Sequence, residues 1–532
     1  MALLLLVAAF GLRVRAAQQP GLWADEIFSL AMATGHSVEH PAAQADPLAG
    51  DFVQATDPVP PATYRRYAEF DAPPAGPGRV IRAVLLSDTS PPLYYLLLNA
   101  WTRGLSPSDA ALRAFSIGWA LASLPLAWLI GRRLAGHFAA WSACLLLSFA
   151  PVATFYSLEG RMYAMVGCLV LLFIWLTLRL ADPDRPALVG ALWAAAGAAG
   201  LLTHYFFAFP WAACVAWLLW IGAAGRRRVA LLTVVTLGVV APWFAQLPAS
   251  LARWRVTGDW LSGVLIWPNA VLEPIRLSAG LLGANSDLGG WQQGNAALLA
   301  ILAAMVIVLA VTGAARTMLD RPLLLLWACW IAVAAGPLVF DLTRHTTTST
   351  IPRSFIAGLP VTVLLGAVAI SRLPRPASMA VLAAILLTWL PGTWKASRAR
   401  VPRPNEPYAL LDRRLETWAT PGDVVLVRSV PTGVIGVARY LEKDIPIVAW
   451  VGQLGTRRTP ADLERVLRGH RRVAVASIHT VGAKDEVGPW LSTNARPLGR
   501  ETFPWSSAEI LYFAPLEGET FFAPADVAGR WE

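Results

Sequence analysis

Two adjacent carboxylates, Asp25 and Glu26, stand in the stretch Gly21-Leu22-Trp23-Ala24-Asp25-Glu26-Ile27-Phe28, directly after the first apolar run. A carboxylate set beside a hydroxyl can take its proton as the oxygen attacks, so an acidic residue here is a candidate general base for glycosyl transfer. Charges at a membrane edge lose hydration and are costly unless something uses them. The same pair also suits the first turn of a helix, where it answers the positive end of the dipole. Both readings stay open at this level. Arg113, Arg161 and Arg353 each fall where an apolar run meets polar sequence. A reaction that expels phosphate needs cations on the departing charge, and the guanidinium fork supplies them in bidentate form. Each arginine could equally snorkel or pair with a carboxylate. Two carboxylates and three arginines on one membrane face are harder to assign to structure alone.

Other polar groups carry less. His204 with Tyr205 ends a Gly/Ala-rich run, where a packed or interfacial histidine is the commoner outcome, and it is retained as a substrate contact. The run His36-Ser37-Val38-Glu39-His40 matches an H-x-x-E-H zinc pattern. It lies in Pro/Ala-rich sequence without a third ligand or a long helix, so it is not read as a metal site. Asp25 and Glu26 could together bridge a divalent metal, but arginines supply the same positive charge and no cofactor is required.

The elements that must position these residues are apolar runs. The chain has 532 residues, 56% hydrophobic and 15% charged, with a mean hydropathy of +0.51. Soluble domains carry about 25% charged residues. Apolar runs occupy 1–17, 110–131, 137–157, 161–180, 187–203, 205–223, 229–248, 296–316, 322–340, 354–371 and 377–394. Lengths near 20 suit tilted crossing helices. A polytopic helical membrane protein of about eleven spans follows.

The net charge of +10 does not indicate nucleic acid, because the arginines sit in short clusters between spans and form no basic stripe. Arg132-Arg133, Arg179 with Arg185, Arg226-Arg227-Arg228, Arg316 with Arg321, and Arg372 with Arg375 occupy alternate short loops. Placing them inside gives a cell-membrane protein with a cytoplasmic N-terminus and an outer C-terminus. Asp25-Glu26, the long loop 18–109, Arg113, Glu159-Gly160-Arg161, His204 and Asp341 through Arg353 then share the outer face. Arg13 and Arg15 dissent, as headgroup ligands or as a misplaced boundary. Residues 1–17 resemble a signal peptide but lack a basic start and a good cleavage site, so they are read as a retained span. The four cysteines, all inside apolar runs, are packing residues.

Segment 31–90 reads as irregular, and the apolar stretch after Pro91-Pro92, ending near Leu105, as an interfacial helix. Segment 249–295, with Trp254, Trp260, Trp267 and Trp291, reads as a second interfacial element carrying belt anchors. After Lys395 the pattern changes. Strands are expected at Val424–Val427, Ile445–Val451, Val473–Ala476 and Ile510–Phe513, with helices at Tyr408–Trp418, Val434–Leu441 and Ala461–Leu467. That alternation predicts a small α/β domain over 405–532 with a largely parallel sheet, following a membrane domain over 1–400. No GxGxxG follows its first strand, so nucleotide binding is not assigned.

An ordered series of motifs resembles a known superfamily. It comprises Trp23-Ala24-Asp25-Glu26, Ser90-Pro91-Pro92-Leu93-Tyr94-Tyr95, Leu112-Arg113-Ala114-Phe115-Ser116, Gly131-Arg132-Arg133-Leu134-Ala135-Gly136 and Tyr156-Ser157-Leu158-Glu159-Gly160-Arg161-Met162-Tyr163. The chain resembles the protein O-mannosyltransferase and lipid A aminoarabinose transferase superfamily of GT-C fold, most closely its bacterial members with the RgtA/B/C/D-like domain. The match covers about residues 1–225, with Pro352-Arg353 to Pro360 beyond. It implies Asp25 as catalytic acid-base residue, Glu26 in support, a polyprenyl-phosphate-linked sugar as donor, and a lipid, glycan or protein acceptor outside. Ser90 stands where the family often carries His or Lys, and Ser354 follows Arg353 where Tyr is usual. The resulting expectation is an inverting glycosyltransferase with Asp25 as base. Arg113 and Arg353 steady the leaving phosphate, and Arg161, Tyr163, His204, Asp88 and Ser90 line the substrate. The alternative is a lipid or glycan transporter or flippase, against which the two halves show no repeat. A non-catalytic anchoring module is a third reading.

Overall fold

The structure, a computed structural model, describes residues 2–19, 21–88, 90–184, 186–252, 262–264, 292–397, 407–481, 484–503 and 506–522. Trp254, Trp260, Trp267 and Trp291, with Arg185, lie outside them. Helix α1 (Ala2–Ala17) is followed by α2 (Ala24–Ala33), whose first turn holds the acidic pair. Among the described residues, six helices are long and apolar enough to cross a membrane and three shorter ones are apolar. The longest, Asp109–Phe149, is two helices rather than one. Ala135 and Gly136 leave helical geometry, with Gly136 at φ 82°, a conformation that costs glycine little. The second half folds back so tightly that a Cβ on Gly131 would lie 2.9 Å from Ala140 Cα. The runs 110–131 and 137–157 are thus the arms of a hairpin.

The arginine-bearing loops meet at one end of the bundle. Arg133 pairs with Asp182 at 2.5 Å, Arg372 with Asp320 at 4.0 Å, and Arg375 stacks 4.8 Å over Phe138. Arg13 belongs to neither reading proposed for it. It is 1% exposed, and its guanidinium donates to Ser157 Oγ, Thr154 Oγ1 and the carbonyls of Ala9 and Ser148, tying α1 to Pro151–Ser157 and the preceding helix end.

Segment 31–90 is more ordered than its composition suggests. Helix Pro77–Ser87 starts with proline at its first position, where the missing N–H costs nothing. Its buried Val80, Ala83, Val84 and Ser87 recur at helical spacing. The helix expected after Pro91-Pro92 spans Leu93–Leu105.

The C-terminal region forms a five-stranded sheet, β1 (Val424–Arg428), β2 (Ile447–Trp450), β3 (Val473–Ser477), β4 (Arg496–Thr502) and β5 (Glu509–Ala514), in the order β2-β1-β3-β5-β4. β1 pairs with β2 and β3 in parallel, but β3–β5 and β4–β5 are antiparallel, so the sheet is mixed rather than largely parallel. β4 was not expected: Arg-Pro-Leu-Gly-Arg-Glu-Thr is an exposed edge without apolar alternation. The sheet region is bound firmly to the rest. Arg65 donates to the carbonyls of Ala438 and Leu441, Val59 bridges Ile447, and Asp109 accepts from Arg439 and Tyr440. Helix Pro431–Tyr440 lies directly on α2: a Cβ on Gly436 would meet Ile27 Cδ1 at 2.9 Å.

Candidate active site

Trp23 is extended and precedes α2, so Asp25 and Glu26 fall in the helix's first turn. The dipole argument holds for both, and it excludes neither from chemistry. Their surroundings differ. Glu26 turns inward. Its Oε1 accepts from Gly160 N–H at 2.9 Å and Arg113 Nε at 3.2 Å, and its Oε2 from Arg113 Nη2 at 3.1 Å and Trp23 N–H at 3.3 Å. Arg113 also donates to the carbonyls of Gln19 and Gly21, each at 2.7 Å. The Glu26 and Arg113 side chains are 1% and 9% exposed. This pair clamps the linker between α1 and α2 to the 159–161 turn. Arg113 therefore does not join the groups facing Asp25.

Asp25 turns toward the open side. Its Oδ2 meets Arg353 Nη1 at 3.1 Å, with the two side chains 28% and 26% exposed. Arg353 follows a turn organised by Asp341, whose carboxylate accepts from Thr346 Oγ1 and the N–H groups of Thr348 and Ser349. Ser354, where the resemblance expects Tyr, donates to the Thr348 carbonyl at 2.8 Å and closes the same turn.

A second cluster adjoins. Arg161 Nη2 meets Asp88 Oδ2 at 3.0 Å, while its Nη1 donates to Tyr95 OH at 3.1 Å and Ser29 Oγ at 3.3 Å. Its Nε is buried without a hydrogen-bond partner. Tyr95 OH donates to Asp88 Oδ2 at 2.7 Å. Burial works to raise the Asp88 pKa. The Arg161 charge and hydrogen bonds from Tyr95, Ser90 and Arg161 outweigh it, and hold the carboxyl below the usual carboxylate range. Ser90, in place of a basic residue, thus serves Asp88. Ser29 and Tyr95 are contributors that spacing did not single out, although Ser29 follows Asp25 by one helical turn.

Tyr163 packs edge-on to Tyr156, with ring centroids 4.9 Å apart, and lies 6.3 Å from His204. His204 Nδ1 accepts from Phe206 N–H at 3.1 Å, and burial, helped by Arg161, lowers its pKa to about 4. It is a neutral ring at physiological pH. Tyr156 and Tyr163 also line a mainly apolar cavity of about 40 Å³ shared with Leu124, Gly167, Leu171 and Ile356. His479, at the end of β3, completes the surroundings: it lies near enough for the Asp25 carboxylate to act on its imidazole. No local signal marks it, since it is 454 positions from Asp25 in sequence (479 less 25).

The donor set does not fit a protein-held metal at the acidic pair. Both Glu26 oxygens are engaged, and Asp25 has a guanidinium for a neighbour. Among the described residues no group of three or more His, Cys, Asp or Glu could hold an ion. His36 of the H-x-x-E-H run contacts Thr34 Oγ1 at 3.1 Å and Asp71 at 3.3 Å.

No family model matches the sequence, and no curated protein matches it. Solved structures do resemble it. ArnT from Cupriavidus metallidurans in its apo state aligns over 96% of this chain and 97% of its own, with a TM-score of 0.59 and 13% identity. The same protein bound to undecaprenyl phosphate aligns over 97% and 98%, with a TM-score of 0.59 and 14% identity. The Archaeoglobus fulgidus oligosaccharyltransferase in complex with Zn and sulfate covers 88% of this chain and 67% of its own, at a TM-score of 0.46 and 13% identity, too loose to argue from. With its helical bundle followed by a small C-terminal sheet, the chain has the GT-C fold seen in ArnT.

Proposed function

We propose that this chain is a membrane glycosyltransferase of inverting type that moves a sugar from a polyprenyl-phosphate carrier to a hydroxyl of a lipid, glycan or protein acceptor. One observation carries the reading. Of the two carboxylates in the first turn of α2, Glu26 is closed off by four donors, whereas Asp25 stands partly exposed beside Arg353. In this reaction the acceptor oxygen attacks the anomeric carbon from the face opposite the phosphate. The new C–O bond forms as the sugar–phosphate C–O bond breaks, and the acceptor proton passes to Asp25. The lipid phosphate leaves with the bonding electrons, and Arg353 and Arg161 answer its charge. Tyr163 and neutral His204 shape the wall between that charge and the apolar cavity. ArnT has been captured with undecaprenyl phosphate, and a shared fold makes a carrier of that class the natural donor. Arg113 holds Glu26 and takes no part in phosphate binding. A divalent metal is left without a role, because Glu26 has no oxygen to offer it.

The arginine loops gather at the opposite end of the bundle from Asp25, which supports an outer-facing cleft and an inner-membrane location under the positive-inside rule. The C-terminal domain, 405–532, then sits outside with it. The test is transfer of labelled sugar from polyprenyl-phosphate donors by the purified protein. Asp25→Asn is expected to lose transfer by about 10²–10⁴-fold, the contribution of a positioned base, while keeping its thermal midpoint. Undiminished turnover in that variant would sink the reading.

A further inference from the structure

The linker between α1 and α2 carries Asp25 to its place, and its backbone is gripped from two sides. Arg113 takes the carbonyls of Gln19 and Gly21. The N–H groups go to other partners. Gly21 N–H donates to Asp109 Oδ2 at 3.0 Å, and Leu22 N–H to the Tyr440 phenol oxygen at 2.6 Å. Tyr440 OH in turn donates to the same Asp109 oxygen at 2.6 Å. Asp109 Oδ1 accepts from Arg439 Nε at 3.0 Å and Nη2 at 2.9 Å, and Arg439 also donates to the Pro107 carbonyl at 2.8 Å.

Two helices bring these groups together. Asp109 and Arg113 are one turn apart on the same helix, so both face the linker. Arg439 and Tyr440 end helix Pro431–Tyr440 of the sheet region, which also packs on α2 at Ile27. Gly21 stands at φ 114°, a conformation that side-chain-bearing residues rarely adopt, and in it the N–H reaches Asp109 while the carbonyl reaches Arg113. Little slack separates this anchored stretch from Asp25. Trp23 N–H donates to Glu26, and the Trp23 carbonyl accepts from Ile27 N–H at 3.0 Å to begin α2. Burial and the Asp109 charge raise the pKa of the Tyr440 phenol, so it stays protonated, donating to Asp109 while accepting from Leu22.

We propose that Tyr440, acting through Asp109 and the linker backbone, is a positioning residue for Asp25, so that the sheet region is a working part of the active site. The inference rests on the glycosyltransferase reading for its kinetic consequence, but the anchoring it asserts does not need turnover. A general base must lie within about 2.6–3.2 Å of the oxygen it deprotonates. A misplacement of about 1 Å can cost about 10²-fold in rate. Tyr440→Phe keeps the ring but leaves Leu22 N–H without its acceptor and Asp109 with one donor fewer. Arg65 provides the contrast. It ties the same helix end to the 31–90 segment through the carbonyls of Ala438 and Leu441, and its hydrogen bonds do not involve the linker.

The experiment compares the parent, Tyr440→Phe and Arg65→Met, each as the full chain in lipid nanodiscs, by amide hydrogen exchange and by sugar transfer. In Tyr440→Phe the amides of Gly21 and Leu22 should exchange about tenfold faster or more. Its kcat should fall by about tenfold or more while the donor KM stays within about twofold, because placement of the base is lost and donor binding is not. Arg65→Met should change neither the exchange at Gly21 and Leu22 nor kcat. Parental exchange at these amides in Tyr440→Phe overturns the proposal, as does a parental kcat, or an equal loss of kcat in Arg65→Met. Such a failure leaves Asp25-dependent transfer standing. Loosened amides in a protein whose parent transfers no sugar sink the glycosyltransferase reading and leave the anchoring standing.

Discussion

The first turn of α2 carries two carboxylate–guanidinium pairs, and their environments are opposite. Glu26–Arg113 is sealed, with side chains 1% and 9% exposed and every carboxylate oxygen engaged. Asp25–Arg353 is open, in contact at 3.1 Å with about a quarter of each side chain exposed. Both pairs are Arg with an acid, so chemistry alone does not distinguish them. Desolvation does. A sealed pair resists the loss of either partner, because the survivor is a buried uncompensated charge. An open pair can exchange its partner for substrate. The sealed pair is thus fixed in the fold, and the open pair is the one the proposed reaction uses.

The comparison can be broken most directly through the sealed pair. Glu26→Gln should destabilise the protein by about 3–5 kcal/mol, the usual consequence of breaking a buried pair. Loss of folded protein in detergent melts is the readout. Glu26→Gln combined with Arg113→Met should recover much of that loss, since replacing both charges is often near neutral. A Glu26→Gln protein that melts normally but transfers no sugar would reverse the two roles.

On the open side, Arg353→Lys keeps the charge and loses the fork. Transfer should fall by about 10²–10³-fold, in the range for removal of one transition-state donor, with the thermal midpoint little moved. A variant as active as the parent would remove Arg353 from phosphate binding and leave Arg161 to carry it.

The smallest effect is acid sensitivity outside the pairs. His36 and His204 are both held to about 4, first by burial and then, respectively, by Arg79 and Arg161, although Asp71 pulls His36 the other way. Unfolded histidine titrates near about 6.5, so the unfolded chain takes up these protons first as pH falls. The stabilising contribution is full above about 6.5 and is lost toward about 4. Thermal midpoints should drop over that interval, and less steeply in His36→Gln. An equal drop in that variant would place the acid-sensitive group elsewhere.

Much of this could be read before folding. Runs near 20 residues identified the bundle, and the hairpin at Ala135-Gly136 separates two runs already distinct in the sequence. Three of the five strands and the helix Ala461–Leu467 follow closely from β-branched runs and helical spacing, and β5 begins one residue early, at Glu509. Elements with weak apolar patterning were missed: edge strand β4, and helix Pro77–Ser87 inside a segment dominated by proline. In both cases the stabilising contacts lie outside the element itself, with β5 for the strand and with α2 and Leu93–Leu105 for the helix, and local propensity does not record them.

By itself the sequence determined the class of the molecule, the clustering of its positive loops between alternate spans, and the suitability of two acids for the first turn of a helix. These depend on composition, run length and the dipole, all of them local. Tertiary structure alone decided which acid was sealed. Consecutive helical residues point about 100° apart, so Asp25 and Glu26 necessarily face different surroundings. Which surrounding is a guanidinium from position 113 with a backbone N–H from 160, and which is a partly exposed setting near 353 and 479, depends on how distant segments pack. Burial is a property of the assembled fold, and here burial separates a sealed acid from a partly exposed one, the distinction on which the proposed roles rest.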